Sequence, residues 1–276
     1  MSAAAGFPAR PRRRWIWACV AAFTALVLVV PVGFRFALKG EIRHQIVPLT
    51  LIQRPVSQLW VEAPGQSVTV IRGRAGQVQV MSTLSWLLGS PTVSHAWHGE
   101  TLRISASCPS VNLFEDCQVG LVIQVPADVT VRVAVGSGKA TVAGLTGPVH
   151  LTASSGSIHL TDVSGPIWAT ATSGSIDATS GLTASHVSAA IGSGGIVLGF
   201  AESPQALALE VGSGSARVTV PPGARYRVSG ERGSGSLEVG TGLADNSAAN
   251  AIAATVGSGL LSIGYRPPIA PAAPAS

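Results

Sequence analysis

Residues 149–160 read VHLTASSGSIHL, residues 167–178 read IWATATSGSIDA, and residues 187–198 read VSAAIGSGGIVL. Aligned on their glycines Gly156, Gly174 and Gly194, all three carry apolar residues seven, five and three positions before the glycine and two and four after it. Outward from these segments the pattern recurs seven times, at Ser137-Gly138, Ser155-Gly156, Ser173-Gly174, Ser193-Gly194, Ser213-Gly214, Ser234-Gly235 and Ser258-Gly259. The glycines are 18, 18, 20, 20, 21 and 24 residues apart. Self-similarity at such a period is the signature of a repeat architecture.

Over the five apolar columns, 33 of 35 positions are hydrophobic, where a 46% hydrophobic chain would place roughly 16 at random. The exceptions are Gly230 and Arg232. Between the two downstream columns runs a mostly polar row, Thr141, His159, Asp177, Val197, Arg217, Glu238 and Ser262. Alternation with period two is the mark of a strand with one buried face. Each copy therefore reads as strand, serine–glycine corner, strand and second corner, and every change of length falls in the second corner. A coil of this kind cannot bury its apolar face alone and must stack on its neighbours. The expected fold is all-β: a single-chain β-solenoid, a β-helix-like stack of 18–24-residue coils with its regular part over 131–263. The corner glycines are expected to supply positive φ, and the corner serines to bond the local backbone or their counterparts one coil away.

Residues 1–14 form a basic tail with Arg10, Arg12, Arg13 and Arg14, and residues 15–34 carry no charge. At about 1.5 Å per helical residue the uncharged stretch spans about 30 Å, one hydrocarbon core. The arginines ahead of it predict a single-pass transmembrane helix with a cytoplasmic N-terminus and an extracytoplasmic C-terminal domain. The competing reading is a cleaved signal peptide, against which stands the lack of a convincing small-x-small cleavage site before Arg35. Setting the four tail arginines aside leaves 14 basic residues against 13 acids, a net of plus one, so the high pI is no argument for nucleic acid.

Residues 35–55 read as a juxtamembrane stalk, and 56–263 as the extracytoplasmic repeat domain, its less regular strands before 131 being first coils and a cap. The stack is expected to finish at Ile263, where Arg266-Pro267-Pro268 opens a Pro/Ala-rich tail over 264–276. Cys108 and Cys117 are the only cysteines beyond the membrane segment, and in an exported domain they predict a disulfide.

The run Val125-Pro-Ala-Asp-Val-Thr-Val131, the serine–glycine corners and the run Val220-Pro-Pro-Gly-Ala-Arg-Tyr226 resemble the bacterial putative-adhesin family of membrane-anchored β-strand-repeat proteins of unknown function. The similarity covers residues 56–263. It implies the repeat fold and a membrane anchor, and supplies no catalytic residue.

The residues themselves argue against an enzyme. There is no Gly-x-Ser-x-Gly elbow and no phosphate loop. Asp162, Asp177, Glu202, Glu210, Glu231 and Glu238 are scattered over the coils and not grouped as a glycosidase pair would be. His95, His98 and Glu100 fall on a strand where residues three apart point to opposite faces, so no metal site and no cofactor is expected. The candidate binding residues are Arg132, His150 and Trp168, which occupy one outward column in consecutive coils, with Thr152 and Thr170 two positions on. An aromatic plate beside hydrogen-bond donors suits a sugar or peptide. The long corner from Gly240 to Ala251 is a second candidate. The expected function is a non-catalytic adhesion or binding module whose partners are the bilayer, through 15–34, and a cell-wall or host glycan or an envelope protein. The alternatives are an envelope sensor or scaffold acting through a membrane partner, and a carbohydrate-active solenoid enzyme.

Overall fold

The computed structural model describes residues 17–27, 29–30, 43–52, 54–86, 89–109 and 117–267. The chain divides into two units, residues 1–43 and 44–276. In the first, residues 17–27 and 29–30 are helical and exposed, with Trp17, Phe23 and Leu26 each more than half accessible. Among the described residues no helix is long and apolar enough to cross a membrane. The remainder of the expected span, and the basic tail before it, lies outside the described residues.

The second unit is all-β, and among its described residues nineteen strands join into one curled sheet. Seven strands precede the serine–glycine repeats: β1 (Arg43–Ile52), β2 (Gln58–Ala63), β3 (Ser67–Arg72), β4 (Val78–Trp86), β5 (Thr92–His98), β6 (Thr101–Ser107) and β7 (Cys117–Val125). The first two repeats are β8 (Thr130–Val135) with β9 (Lys139–Ala143), and β10 (Val149–Ala153) with β11 (Ser157–Thr161). In the next two the strand runs on through the corner, as β12 (Ile167–Leu182) and β13 (His186–Phe200). The last three are β14 (Ala206–Val211) with β15 (Ser215–Val220), β16 (Arg227–Arg232) with β17 (Ser236–Val239), and β18 (Ala251–Val256) with β19 (Leu260–Tyr265).

Two parallel ladders run through the repeats, one on each side of the serine–glycine corner. Ile158 pairs with Ile176, and Ile176 with Ile196, so equivalent positions lie one above another as their spacing predicts. On the other ladder Val131, Val149, Ile167, Val187, Leu207 and Ile252 form one continuous inward column, each at most 4% exposed. Each such side chain contributes about 1.5–3 kcal/mol by leaving water. The sum is available only to a stack, because a lone coil leaves both of its edges open.

The serine–glycine corners work differently from expectation. Of the seven glycines only Gly194 has positive φ. The others are required by close approach: a Cβ on Gly156 would meet the carbonyl oxygen of Gly138, one on Gly174 that of Gly156, and one on Gly214 that of Gly194, all below 3.0 Å. The corners pile up backbone on backbone, and a side chain would pry successive coils apart. Positive φ belongs to the second corner, at Gly144, Asp162 and Gly181. All seven corner serines are exposed, and Ser234 Oγ donates to Ser258 Oγ at 3.2 Å in the coil beside it.

The order of coils also departs from chain order at both ends. β18 and β19 lie between β14–β15 and β16–β17, so the stack ends on residues 227–239 and not at Ile263. Gly230 and Arg232, the two breaks in the apolar pattern, sit on this outermost coil, where no further layer has to cover them. Tyr265 and Arg266 fold back instead, Tyr265 Oη donating to Ala224 O at 3.0 Å and Arg266 Nη2 to Phe200 O at 2.6 Å. Upstream, β2–β3 is a regular coil, inserted between β8–β9 and β6–β7. Antiparallel strands finish that end: β5 pairs with β6, and β4 with β7. β1, within the stretch expected to be a stalk, pairs with β4.

Cys108 and Cys117 form the expected disulfide, with their Cα atoms 6.0 Å apart. The loop residues 110–116 lie outside the described residues. Gln66, buried at 5% exposure, ties this end together: its Oε1 accepts from Val119 N, and its Nε2 donates to Cys108 Sγ at 3.2 Å.

Candidate binding face

Strand alternation that turns Leu59, Val61, Val131, Val133, Val149, Leu151, Ile167 and Ala169 inward necessarily turns the residues between them outward. On β8, β10 and β12 these are Arg132, His150 and Trp168, paired coil to coil as the sequence suggests. Neighbours in such a row are about 4.8 Å apart. His150 and Trp168 stack, ring centroids 4.4 Å apart and planes within 5°. Burial, and then the positive charge of Arg132, hold the His150 imidazole below its ordinary pKa, which favours the neutral ring against the indole. Thr152 and Thr170 pair directly with each other and are exposed on the same face.

The structure lengthens this row by two residues. Trp60 on β2 pairs with Arg132 on one side and with Arg103 of β6 on the other. The Arg103 guanidinium lies 4.5 Å from the centre of the Trp60 ring, and its Nη2 donates to both carboxylate oxygens of Glu62 at 2.8 Å. The sequence does hold a signal for this. QLWVEAPGQSVTV (58–70) has the spacing of TVRVAVGSGKATV (130–142), with Pro64-Gly65-Gln66 replacing Gly136-Ser137-Gly138 at the corner. Without a serine–glycine pair the copy goes uncounted, and chain order places it far from β10 and β12.

Five consecutive coils thus present Arg103, Trp60, Arg132, His150 and Trp168 in one line. Trp60 is 39% and Trp168 43% exposed, the two most exposed tryptophans of the β unit. Beyond Trp168 the row falls away to Ser188, Ala208 and Ala253. These small residues floor an open, mostly apolar hollow of about 270 Å³ against Trp168. Because His150 covers the indole from the neighbouring coil, the other face of the ring turns toward this hollow.

The second candidate, the corner from Gly240 to Ala251, is occupied with its own structure. Leu243 and Tyr226 are wholly buried beside it. Asp245 Oδ1 accepts from Ser247 N and Oγ at 2.9 and 2.6 Å, and Asp245 Oδ2 from Arg225 Nη1 at 3.2 Å. The Ser247 hydrogen bonds, and then Arg225, hold the Asp245 carboxyl below its usual range. This corner closes the end of the stack. His95 and His98 fall on opposite faces of β5, His95 beside Val93 and Ile104, and no cluster of three metal-ligating side chains occurs among the described residues.

No protein-family model matches this chain, and no curated protein matches its sequence. Among solved structures, a putative cell adhesion protein from Clostridium sporogenes is 10% identical, with 81% of this chain and 100% of that chain covered at a TM-score of 0.38. A putative adhesin from Bacteroides fragilis is 12% identical over 80% of this chain and 97% of that one, at a TM-score of 0.39. A putative lipid binding protein from Parabacteroides distasonis is 10% identical over 83% and 98%, at a TM-score of 0.38. The descriptions of the first two match the family that the sequence resembles, and no residue correspondence is carried over from any of them.

Proposed function

We propose that this chain is a non-catalytic binding module of the bacterial cell envelope, a β-solenoid held outside the membrane by a helix over 15–34. Its ligand is a cell-wall or host glycan. The observation that carries this reading is the outward row of two exposed indoles, an imidazole and two arginines, fixed on five adjoining strands. Such a row offers flat apolar plates to sugar rings and donors to their hydroxyls, at little entropic cost because strands hold it rigid. The anchor is supported by a helix with apolar side chains exposed all round, which in water would be a liability and in lipid is not. The arginines ahead of it favour a cytoplasmic N-terminus.

The test is retention of the full-length chain, in detergent, on isolated cell-wall glycan and on whole cells. Trp168→Ala combined with Arg132→Ala is expected to reduce retention roughly tenfold or more, as removal of central aromatic and arginine contacts does elsewhere. Undiminished retention would exclude this face.

A further inference from the structure

Resting on that reading, the row also points to the kind of glycan. We propose that it takes an acidic polysaccharide lying along the stack, with a ring-borne carboxylate on Arg132 and sugar faces on Trp60 and Trp168.

The charge pattern singles out Arg132. Arg103 has both its partners in place, Glu62 at 2.8 Å and the Trp60 face at 4.5 Å. Arg132, one coil further on, is exposed and makes no ion pair among the described residues. Its strand neighbours are Trp60 and His150, neither of which can accept a charged hydrogen bond from it in the way a carboxylate does. Glu62, on the same outward side of β2 as Trp60, has both oxygens engaged by Arg103. The guanidinium fork is therefore free for a bidentate carboxylate from outside.

Spacing selects the carrier. Trp60 and Arg132 are about 4.8 Å apart along the ladder, and Arg103 covers the indole from the opposite side, so a ring held against the rest of the indole brings a carboxyl borne on that same ring within reach of Arg132. A phosphodiester between sugars would place its charge beyond the edge of the ring. Two coils past Arg132 stands Trp168, close to 10 Å away by the same spacing, and its free face with the adjoining hollow of about 270 Å³ receives a later sugar of the same chain. The row runs in a single line over five adjoining strands that hold it rigid, so it favours a linear polymer over a branched tip.

His150 gives the proposal a signature. The group lies between Arg132 of β8 and Trp168 of β12, and the other titratable groups of the strands packed on it, His159 and Asp177, belong to the second ladder. Burial and Arg132 now lower its pKa. A carboxylate bound at Arg132 would offset the arginine's charge and raise that pKa, so the protonated form binds the acidic ligand more tightly. Affinity should then rise as pH falls below neutral, over a range where a uronate stays ionised.

The probes are a galacturonic acid tetramer, the neutral galactose tetramer and a polyglycerol phosphate, titrated against the full-length chain in detergent. The uronate tetramer is expected to bind at least tenfold more tightly than the neutral one, and to lose roughly tenfold with Arg132→Ala, Trp60→Ala or Trp168→Ala. Arg132→Lys should recover part of the loss, and His150→Gln should remove the pH slope. All four positions are outward on strands, and far-ultraviolet circular dichroism checks that each variant keeps its β signal. Equal binding of the neutral tetramer, or indifference to Arg132→Ala while Trp168→Ala still weakens binding, would overturn the acidic ligand and leave the binding module standing. Preference for the phosphate polymer would overturn the ring-borne carboxylate. Failure of wild type to bind any probe or cell-wall preparation would remove both readings.

Discussion

Gly156 illustrates what a single position does in this molecule. Its Cα faces the carbonyl oxygen of Gly138 too closely for any side chain, although its φ is one that other residues adopt freely. Gly156→Ala should therefore destabilise the fold by about 1–3 kcal/mol, the range seen for overpacking. Gly195 lies one residue past the corner, with open space where its Cβ would be and no positive φ. Gly195→Ala should be neutral or stabilise by about 0.4–1 kcal/mol, through the lower entropy of the unfolded chain. Chemical denaturation of the two variants checks the pair. If both behave alike, close stacking is not why the corner is glycine. Read along the sequence, every glycine of the repeat looks the same, because conservation of pattern between copies does not distinguish a backbone that must bend from one that must be approached.

At the scale of one strand, β16 shows how the stack avoids growing. Its outer edge has no partner strand among the described residues, and an open edge invites pairing with another chain. Val228 still faces inward, but Gly230 carries no side chain and Arg232 places a charge on the inward row. An inward-pointing charge on an edge strand disfavours a further layer, since covering it would strip its water without supplying a counter-charge. Arg232→Val should thus promote association of the full-length chain at high concentration, read by light scattering, without loss of thermal stability. A variant that stays as dispersed as wild type would show that the edge is protected by something else. The sequence marks Arg232 as an exception to the repeat, and its place at the end of the stack explains the exception.

For the whole molecule, the insertion of β18–β19 beneath β16–β17 ties stability at that end to the last residues of the chain. Deleting residues 247–276 removes β18 and β19, and with them every strand pairing of β16 and β17. Limited trypsin digestion should then cut at Arg227 and Arg232, while the stack up to β15 keeps its resistance. Were the coils stacked in chain order, the same deletion would leave β16–β17 protected against β14–β15. Much of this architecture is legible from residues alone. Period-two alternation states which side chains are buried, the register states which copies are equivalent, and the two cysteines that follow the apolar N-terminal segment state the disulfide. Arg132, His150 and Trp168 are legible as a row for the same reason, since equal positions in consecutive copies must line up. What the tertiary structure decided is which coil lies on which. The alternating pattern is local and nearly the same in every copy, so it does not choose among neighbours, and that choice follows from long-range packing of coil surfaces and from where an ill-fitting residue such as Arg232 can be left uncovered. Through that choice Trp60 and Arg103, more than twenty residues upstream of Arg132 in the chain, became part of the same face.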